Sequence, residues 1–240
     1  MEGLPDNVLF SPNRIHGEQV ANKVERLFKH EMWLLTQLLP RVLLRLGRCT
    51  LEESVEAKRE IGVLLLNANT TTVAALEVWR RGYPLQVGIL LRNAIETIAT
   101  AAALNSDAQA YEDYKRKKFK SSAAFTIVKR VWPVIGDLLA RINGDLSRDF
   151  AHLGDFYRGW QTVSTELNDQ DILALRATLL PIKFTFHVLD LLSEVTCYDF
   201  VEDRRYWSRL RPGAYQYSPT TAAERWMQEF LAEHVTGKGE

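Results

Sequence analysis

Residues 84–104 read PLQVGILLRNAIETIATAAAL, and this stretch decides the fold. It is apolar on most sides, the signature of a helix at the centre of a bundle or in a membrane. Arg92 and Glu96 interrupt it near the middle. Charge there is costly in lipid, so the segment is expected to be the buried central helix of a soluble protein. Pro84 suits a first helical turn, where its missing N–H costs nothing. Gly82 suits the end of the helix before it.

Helical periodicity continues on both sides of this segment. Upstream, Ile61, Leu64, Leu65, Ala68, Ala75, Leu76 and Trp79 line a helix from about Leu51 to Arg81. Before that, Val20, Val24, Leu27, Leu34, Leu38, Val42 and Leu46 mark a helix that Pro40 bends or splits and Gly47 stops. Downstream, Ser106 and Gln109 have capping-box spacing for a helix running through Tyr111, Tyr114, Phe119, Phe125 and Val128 to the Trp132-Pro133 step. A short helix with Ile135, Leu138, Leu139 and Ile142 ends at Gly144, and Ser147 is placed to cap another. Ile172, Leu175, Leu179, Ile182, Phe186 and Leu189 form a seam on a helix from about Asp169 to Tyr198, with a possible kink at Pro181. A loop is expected over Leu210–Pro219, then a last helix opened by Thr221 and Glu224. No segment alternates at period two for long enough to predict a strand. The expectation is an all-α helical bundle of about seven or eight helices in a single domain, residues 1–240, with its core over 19–200 and a C-terminal extension over 201–240.

The 240 residues carry 30 Lys plus Arg and 30 Asp plus Glu. A zero formal net charge gives no global argument for nucleic acid or an anionic membrane as partner, and leaves room only for a local patch. The two cysteines, Cys49 and Cys197, form no paired motif, which suits a reducing compartment and a cytoplasmic location. Met1–Pro12 contains Glu2 and Asp6 and no apolar run, unlike a signal peptide. Phosphate-binding glycine loops and a GxSxG elbow are missing. The histidines, His16, His30, His152, His187 and His234, are scattered, and none has a second His or Cys at zinc-ligand spacing. Neither a metal nor a cofactor is expected.

Three features bear on chemistry. Arg92 and Glu96, four apart, share a face of the central helix, where they are expected to be desolvated and hydrogen-bonded to each other. Such a pair either fixes helix register or supports a site. Arg148 and His152 are also four apart, with Ser147 and Asp149 beside them. A guanidinium can hold a phosphate and an imidazole can move protons, a combination suited to metal-free cleavage of RNA through its 2′-hydroxyl. The structural alternative pairs Arg148 with Asp145 or Asp149 and satisfies His152 at a helix end. Lys115, Arg116, Lys117, Lys118 and Lys120 place five cations within six residues. They can grip a nucleic-acid backbone beside Tyr111, Tyr114 and Phe119, or form a solvated helix face.

Two weaker features remain. Asn67, Asn69, Thr70, Thr71 and Thr72 interrupt an apolar helix; Thr71 and Thr72 can bond back to the preceding turn, or the cluster can line a pocket or a helix–helix contact. Tyr198, Phe200, Tyr206, Trp207, Tyr215 and Tyr217 crowd among Arg204, Arg205, Arg209 and Arg211, a composition suited to binding a partner chain or to an aromatic mini-core.

The segments Leu90-Leu91-Arg92-Asn93-Ala94-Ile95-Glu96 and Leu146-Ser147-Arg148-Asp149-Phe150-Ala151-His152 together resemble those of HEPN (higher eukaryotes and prokaryotes nucleotide-binding) proteins of a poorly characterised bacterial branch. The resemblance covers about residues 60–200. It implies a helical bundle that often dimerises, and in many members a metal-independent ribonuclease of toxin–antitoxin or phage-defence systems, while others are non-catalytic binding modules. It also implies Arg148 and His152 as the catalytic pair, with Arg92, Glu96, Ser147 and Asp149 supporting the site. The family motif is an Arg, then Asn, Asp or His, with four to six residues before the His. Arg148-Asp149 matches its start, but only three residues separate Arg148 from His152. On a helix, that difference rotates the imidazole by roughly 100°.

Overall fold

The structure, a computed structural model, describes residues 11–148 and 162–232, with side chains from residue 16 onward. Among the described residues the regular elements are nine α-helices, one 3-10 turn (Tyr198–Phe200) and one short hairpin, an all-α bundle. One hydrophobic core runs from Val20 to Phe230.

The first four helices are α1 (Ser11–Leu27), α2 (Lys29–Glu52), α3 (Glu56–Arg80) and α4 (Pro84–Ser106). The expected break at Pro40 falls instead at Phe28, whose backbone leaves the helical region while its ring turns inward against Trp79. Pro40 stays within α2. It and Thr36, whose carbonyl loses its partner, both lie on the exposed side, where water replaces the missing bond. Gly47 does not stop α2 either, because the helix continues to bury Cys49. Gly82 does end α3: its φ is +81°, and a Cβ there would lie 2.4 Å from Val163 and 2.8 Å from Val20.

α4 packs against α3, α6 (Ser121–Val131), α7 (Pro133–Leu146) and α8 (Asp169–Thr196). α8 shares the central position, for every residue from Ile182 to Tyr198 is buried. It opens with a capping box between Asn168 and Asp171. By length and composition α3, α4 and α8 are each apolar enough to cross a membrane.

The helix expected to run from Ser106 to Trp132 is divided. α5 (Ala108–Lys115) is capped by Asp107 rather than Ser106, accepting from the N–H groups of Gln109 and Ala110 at 2.9 and 3.1 Å. A turn at Lys117, φ +58°, then separates α5 from α6. A continuous helix would stack the cations of residues 115–120 at three- and four-residue spacing, where like charges repel. Gly136 lets α7 approach α6, since a Cβ there would lie 2.5 Å from the Lys129 nitrogen.

The expected loop over 210–219 contains an antiparallel hairpin, β1 (Trp207–Arg211) with β2 (Ala214–Tyr217), turning at Pro212-Gly213. Trp207 lies opposite Tyr217, their rings in edge contact at 5.6 Å. Thr220 caps the last helix, α9 (Thr221–Leu231).

Four charges lock α2 to α8. Arg41 donates to both carboxylate oxygens of Asp190 at 2.9 and 2.5 Å, and Arg45 reaches Asp190 at 2.8 Å and Glu194 at 3.3 Å. The Tyr206 hydroxyl donates to Asp190 at 2.8 Å. Glu194 also accepts from the successive backbone N–H groups of Arg205, Tyr206 and Trp207 at 2.8–3.0 Å, which ties the hairpin to the core. Both carboxylates are fully buried. Asp190→Ala takes from Arg41 its carboxylate partner and leaves Arg45 with Glu194 alone, and removing one partner of a buried pair costs roughly 3–5 kcal/mol. Urea unfolding is expected to show a loss of that size.

Candidate functional site

Arg148 follows directly on the last turn of α7. Leu139 and Leu146 bury the inner face of that helix, which turns Asp145 and Arg148 outward. The Arg148 side chain is 69% exposed, and its guanidinium donates to Asp145 at 2.9 Å. Gly144 does not end α7, Ser147 keeps right-handed helical angles, and its hydroxyl bonds back to the Asn143 carbonyl at 2.7 Å; the body of the helix expected after Ser147 lies outside the described residues. Asp149 and His152 lie outside the described residues. A cavity of about 450 Å3, with Asp145 in its lining, opens between α7, α8 and α9. Leu138, Ile142, Leu180, Phe184 and Leu231 make its walls apolar, and Arg141 and Asp145 add charge.

Arg92 and Glu96 form the expected pair at 3.1 Å, but it is not desolvated, with side chains 39% and 35% exposed. The core face of α4 is Leu91, Ala94, Ile95 and Ile98. The pair lies at the edge of that face, where the long side chains reach outward. Glu96 lines a shallow groove with Leu64, Asn93, Thr97, Thr100 and Ser121. The structure thus brings Glu96 beside the start of α6 and the end of the basic run. The Arg92 and Arg148 pairs each close within their own helical turn.

The basic run divides into two groups. Lys115 pairs with Glu56 at 3.0 Å and lies 5.8 Å from the Tyr111 ring centroid, and Arg116 pairs with Glu112 at 3.7 Å. Lys117, Lys118 and Lys120 are exposed, and among the described residues no carboxylate pairs with them. These three occupy the α5–α6 turn rather than a helix face. Beside the turn is a cavity of about 550 Å3 lined by Glu60, Tyr114, Lys115, Lys117 and Phe119.

Other features resolve structurally. Thr70, Thr71 and Thr72 each bond back to the carbonyl four residues earlier, at 2.7–3.0 Å. In the C-terminal quarter Tyr198, Tyr206 and Trp207 are buried. Arg204 and Arg209 lie over the Tyr198 ring at 4.4 and 4.9 Å, and Arg205 lies over Trp226 at 5.3 Å. Much of that aromatic and arginine content is therefore spent within the chain. The two cysteines, distant in sequence, are both buried free thiols, and the Cys49 thiol lies 3.8 Å from the Lys58 carbonyl.

The buried polar stripe of α8 is absent from the sequence reading. Lys183 pairs with Glu31 at 2.7 Å and donates to the Ala232 carbonyl at 2.7 Å. His187, Asp190 and Glu194 continue along the same helix. A signal for it does exist: Arg41 and Arg45, and Asp190 and Glu194, are matched pairs at four-residue spacing in apolar helices. Among the described residues no three His, Cys, Asp or Glu side chains converge as a metal-binding group.

Burial pushes the His187 imidazole down to about 4, against a smaller upward pull from Asp190, and its edge meets the Tyr206 ring. Burial alone would raise the Asp190 carboxyl, but the hydrogen bonds and charges of Arg41 and Arg45 hold it below its ordinary value. Both groups favour the folded state at neutral pH. Folded His187 stays neutral while unfolded chains take up a proton, so stability falls as pH drops from about 6.5 toward 4, by about 3 kcal/mol. The loss through Asp190 follows at lower pH. Urea midpoints across this range should decline for the parent and stay flatter for His187→Leu.

No known protein family, curated protein or solved structure matches the chain.

Proposed function

We propose that the chain is a HEPN-like, metal-independent ribonuclease of the kind found in bacterial toxin and phage-defence systems. The observation that carries this reading is Arg148, an outward-facing guanidinium aligned by Asp145 at the end of α7, four residues before His152. The uncompensated lysines of the α5–α6 turn support RNA as the substrate class. In this reading the 2′-hydroxyl attacks the adjacent phosphorus while His152 accepts its proton. Arg148 stabilises the charge gathering on the phosphoryl oxygens. The bond from phosphorus to the 5′-oxygen breaks and that oxygen takes a proton from water, leaving a 2′,3′-cyclic phosphate and a 5′-hydroxyl.

The test is incubation of the purified chain with mixed cellular RNA and a chelator. Cleavage to cyclic-phosphate ends is expected, reduced at least about 100-fold in Arg148→Ala and in His152→Ala. Equal cleavage by all three chains, or none by any, counts against it.

The α7–α9 cavity favours a second reading, a non-catalytic helical protein that binds a partner chain, because its apolar walls suit a hydrophobic side chain better than a nucleotide. Homodimerisation is part of the ribonuclease reading. Sedimentation at micromolar concentration is expected to give twice the 27.5 kDa chain mass, and a monomer would remove the dimer from it.

A further inference from the structure

The α5–α6 turn has an unusual construction. Its end of α5 is closed by backbone bonds alone: the N–H of Lys117 donates to the Tyr114 carbonyl at 2.9 Å, and those of Lys118 and Phe119 to the Asp113 carbonyl at 2.8 and 3.1 Å. Lys117 occupies the left-handed position of this closure, where glycine is the cheapest residue. A lysine there adds charge at a conformational cost. Lys118 and Lys120 add two more ammonium groups, and α6 starts immediately after them with no side-chain cap on its first N–H groups. The exposed hydroxyls of Ser121 and Ser122 stand at the same point. Positive potential is thus gathered on one side of a cavity that Tyr114 and Phe119 line with aromatic surface.

We propose that this cavity is a nucleotide subsite for single-stranded RNA, with a preference for guanine. The proposal rests on the RNA-directed reading above and assigns a place where the strand is held, apart from Arg148. A base enters against Tyr114 and Phe119, and the flanking phosphates lie on Lys117, Lys118 and Lys120. The preference comes from Glu60, the one carboxylate in the lining. It accepts the Tyr111 hydroxyl at 2.8 Å and keeps lone pairs for further donors. A carboxylate repels base edges that present acceptors. Guanine alone presents two adjacent donors, N1–H and the N2 amine, on its Watson–Crick edge, and these match the two oxygens of a carboxylate. Glu60 also keeps phosphate away from the aromatic side of the cavity, which sets the direction in which the nucleotide enters.

The experiment uses the full chain in the Arg148→Ala background, so that the probe survives, and fluorescence anisotropy in the presence of a chelator. The probe is a labelled ten-nucleotide single strand with one guanine, compared with the same strand carrying uracil there. The guanine strand is expected to bind at least about fivefold more tightly. Phe119→Ala is expected to weaken binding about tenfold. Replacing Lys117, Lys118 and Lys120 together by Gln is expected to weaken it at least tenfold and to reduce the slope of log affinity against log salt by about 2. Glu60→Gln is expected to remove the guanine preference. Lys117→Gly serves as a control for folding: it is expected to raise Tm while weakening binding.

Unchanged affinity and salt slope in the triple Gln chain overturn the subsite, and equal binding of the two strands in the parent overturns the guanine preference. The two proposals fail separately. Binding that needs these lysines, without cleavage by the Arg148-containing chain, keeps the subsite and removes the ribonuclease. Cleavage that the triple Gln chain performs as well as the parent does the reverse.

Discussion

Asp190 and Glu194 lie fully buried one helical turn apart on α8, and Arg41 and Arg45 reach them from α2 at the same spacing. Taking these charges out of water costs several kcal/mol per ion, and only well-formed geometry offsets it. Sliding α2 along α8 by one residue would break every one of these bonds, whereas leucine packing alone would tolerate small shifts. The clamp therefore sets the register of the two helices. Because Glu194 also collects the backbone N–H groups of Arg205, Tyr206 and Trp207, the residues that lead into β1, the same clamp holds the hairpin in place. α4 and α3 then pack against α8, so the central layer inherits its geometry from four side chains.

Features that depend on neighbours in sequence were legible. The junction between α3 and α4 was read from Gly82 and Pro84, and the extents of α4 and α8 from their periodicity. Features that depend on three-dimensional packing were not. Phe28 breaks the first long helix because its ring packs against Trp79, a residue far along the chain. Gly47 and Gly144 carry ordinary stop signals, but the buried Cys49 and Leu146 beyond them extend the helices. The hairpin is too short for alternation to register, and only Pro212-Gly213 hints at its turn.

The candidate sites divide along the same line. The Arg92 and Glu96 contact follows from helix geometry, but its exposure depends on how α4 is rotated against α3 and α6, which no local pattern encodes. The basic run was legible as charge, yet its location on a turn beside an aromatic cavity was not. The α8 stripe is the clearest case: each charge looks like an isolated interruption in its own helix, and only the fold shows that the interruptions match. Among the described residues, Arg148 follows the last turn of α7 and Lys117 the end of α5, so both candidate sites stand near helix ends rather than on the packed helix faces that periodicity marks.

The clamp also orders events during synthesis. α2 leaves the ribosome well before α8, and the three backbone donors of Arg205, Tyr206 and Trp207 emerge after both. Until they do, Glu194 lacks the donors that satisfy it in the finished core. A nascent chain stalled short of residue 207 carries a helix with the length and composition of a membrane span and a carboxylate without its backbone partners. Exposed apolar surface and an unsatisfied carboxylate are the features that make an incomplete fold prone to aggregate, and in this chain the carboxylate is satisfied only when the segment entering β1 is in place.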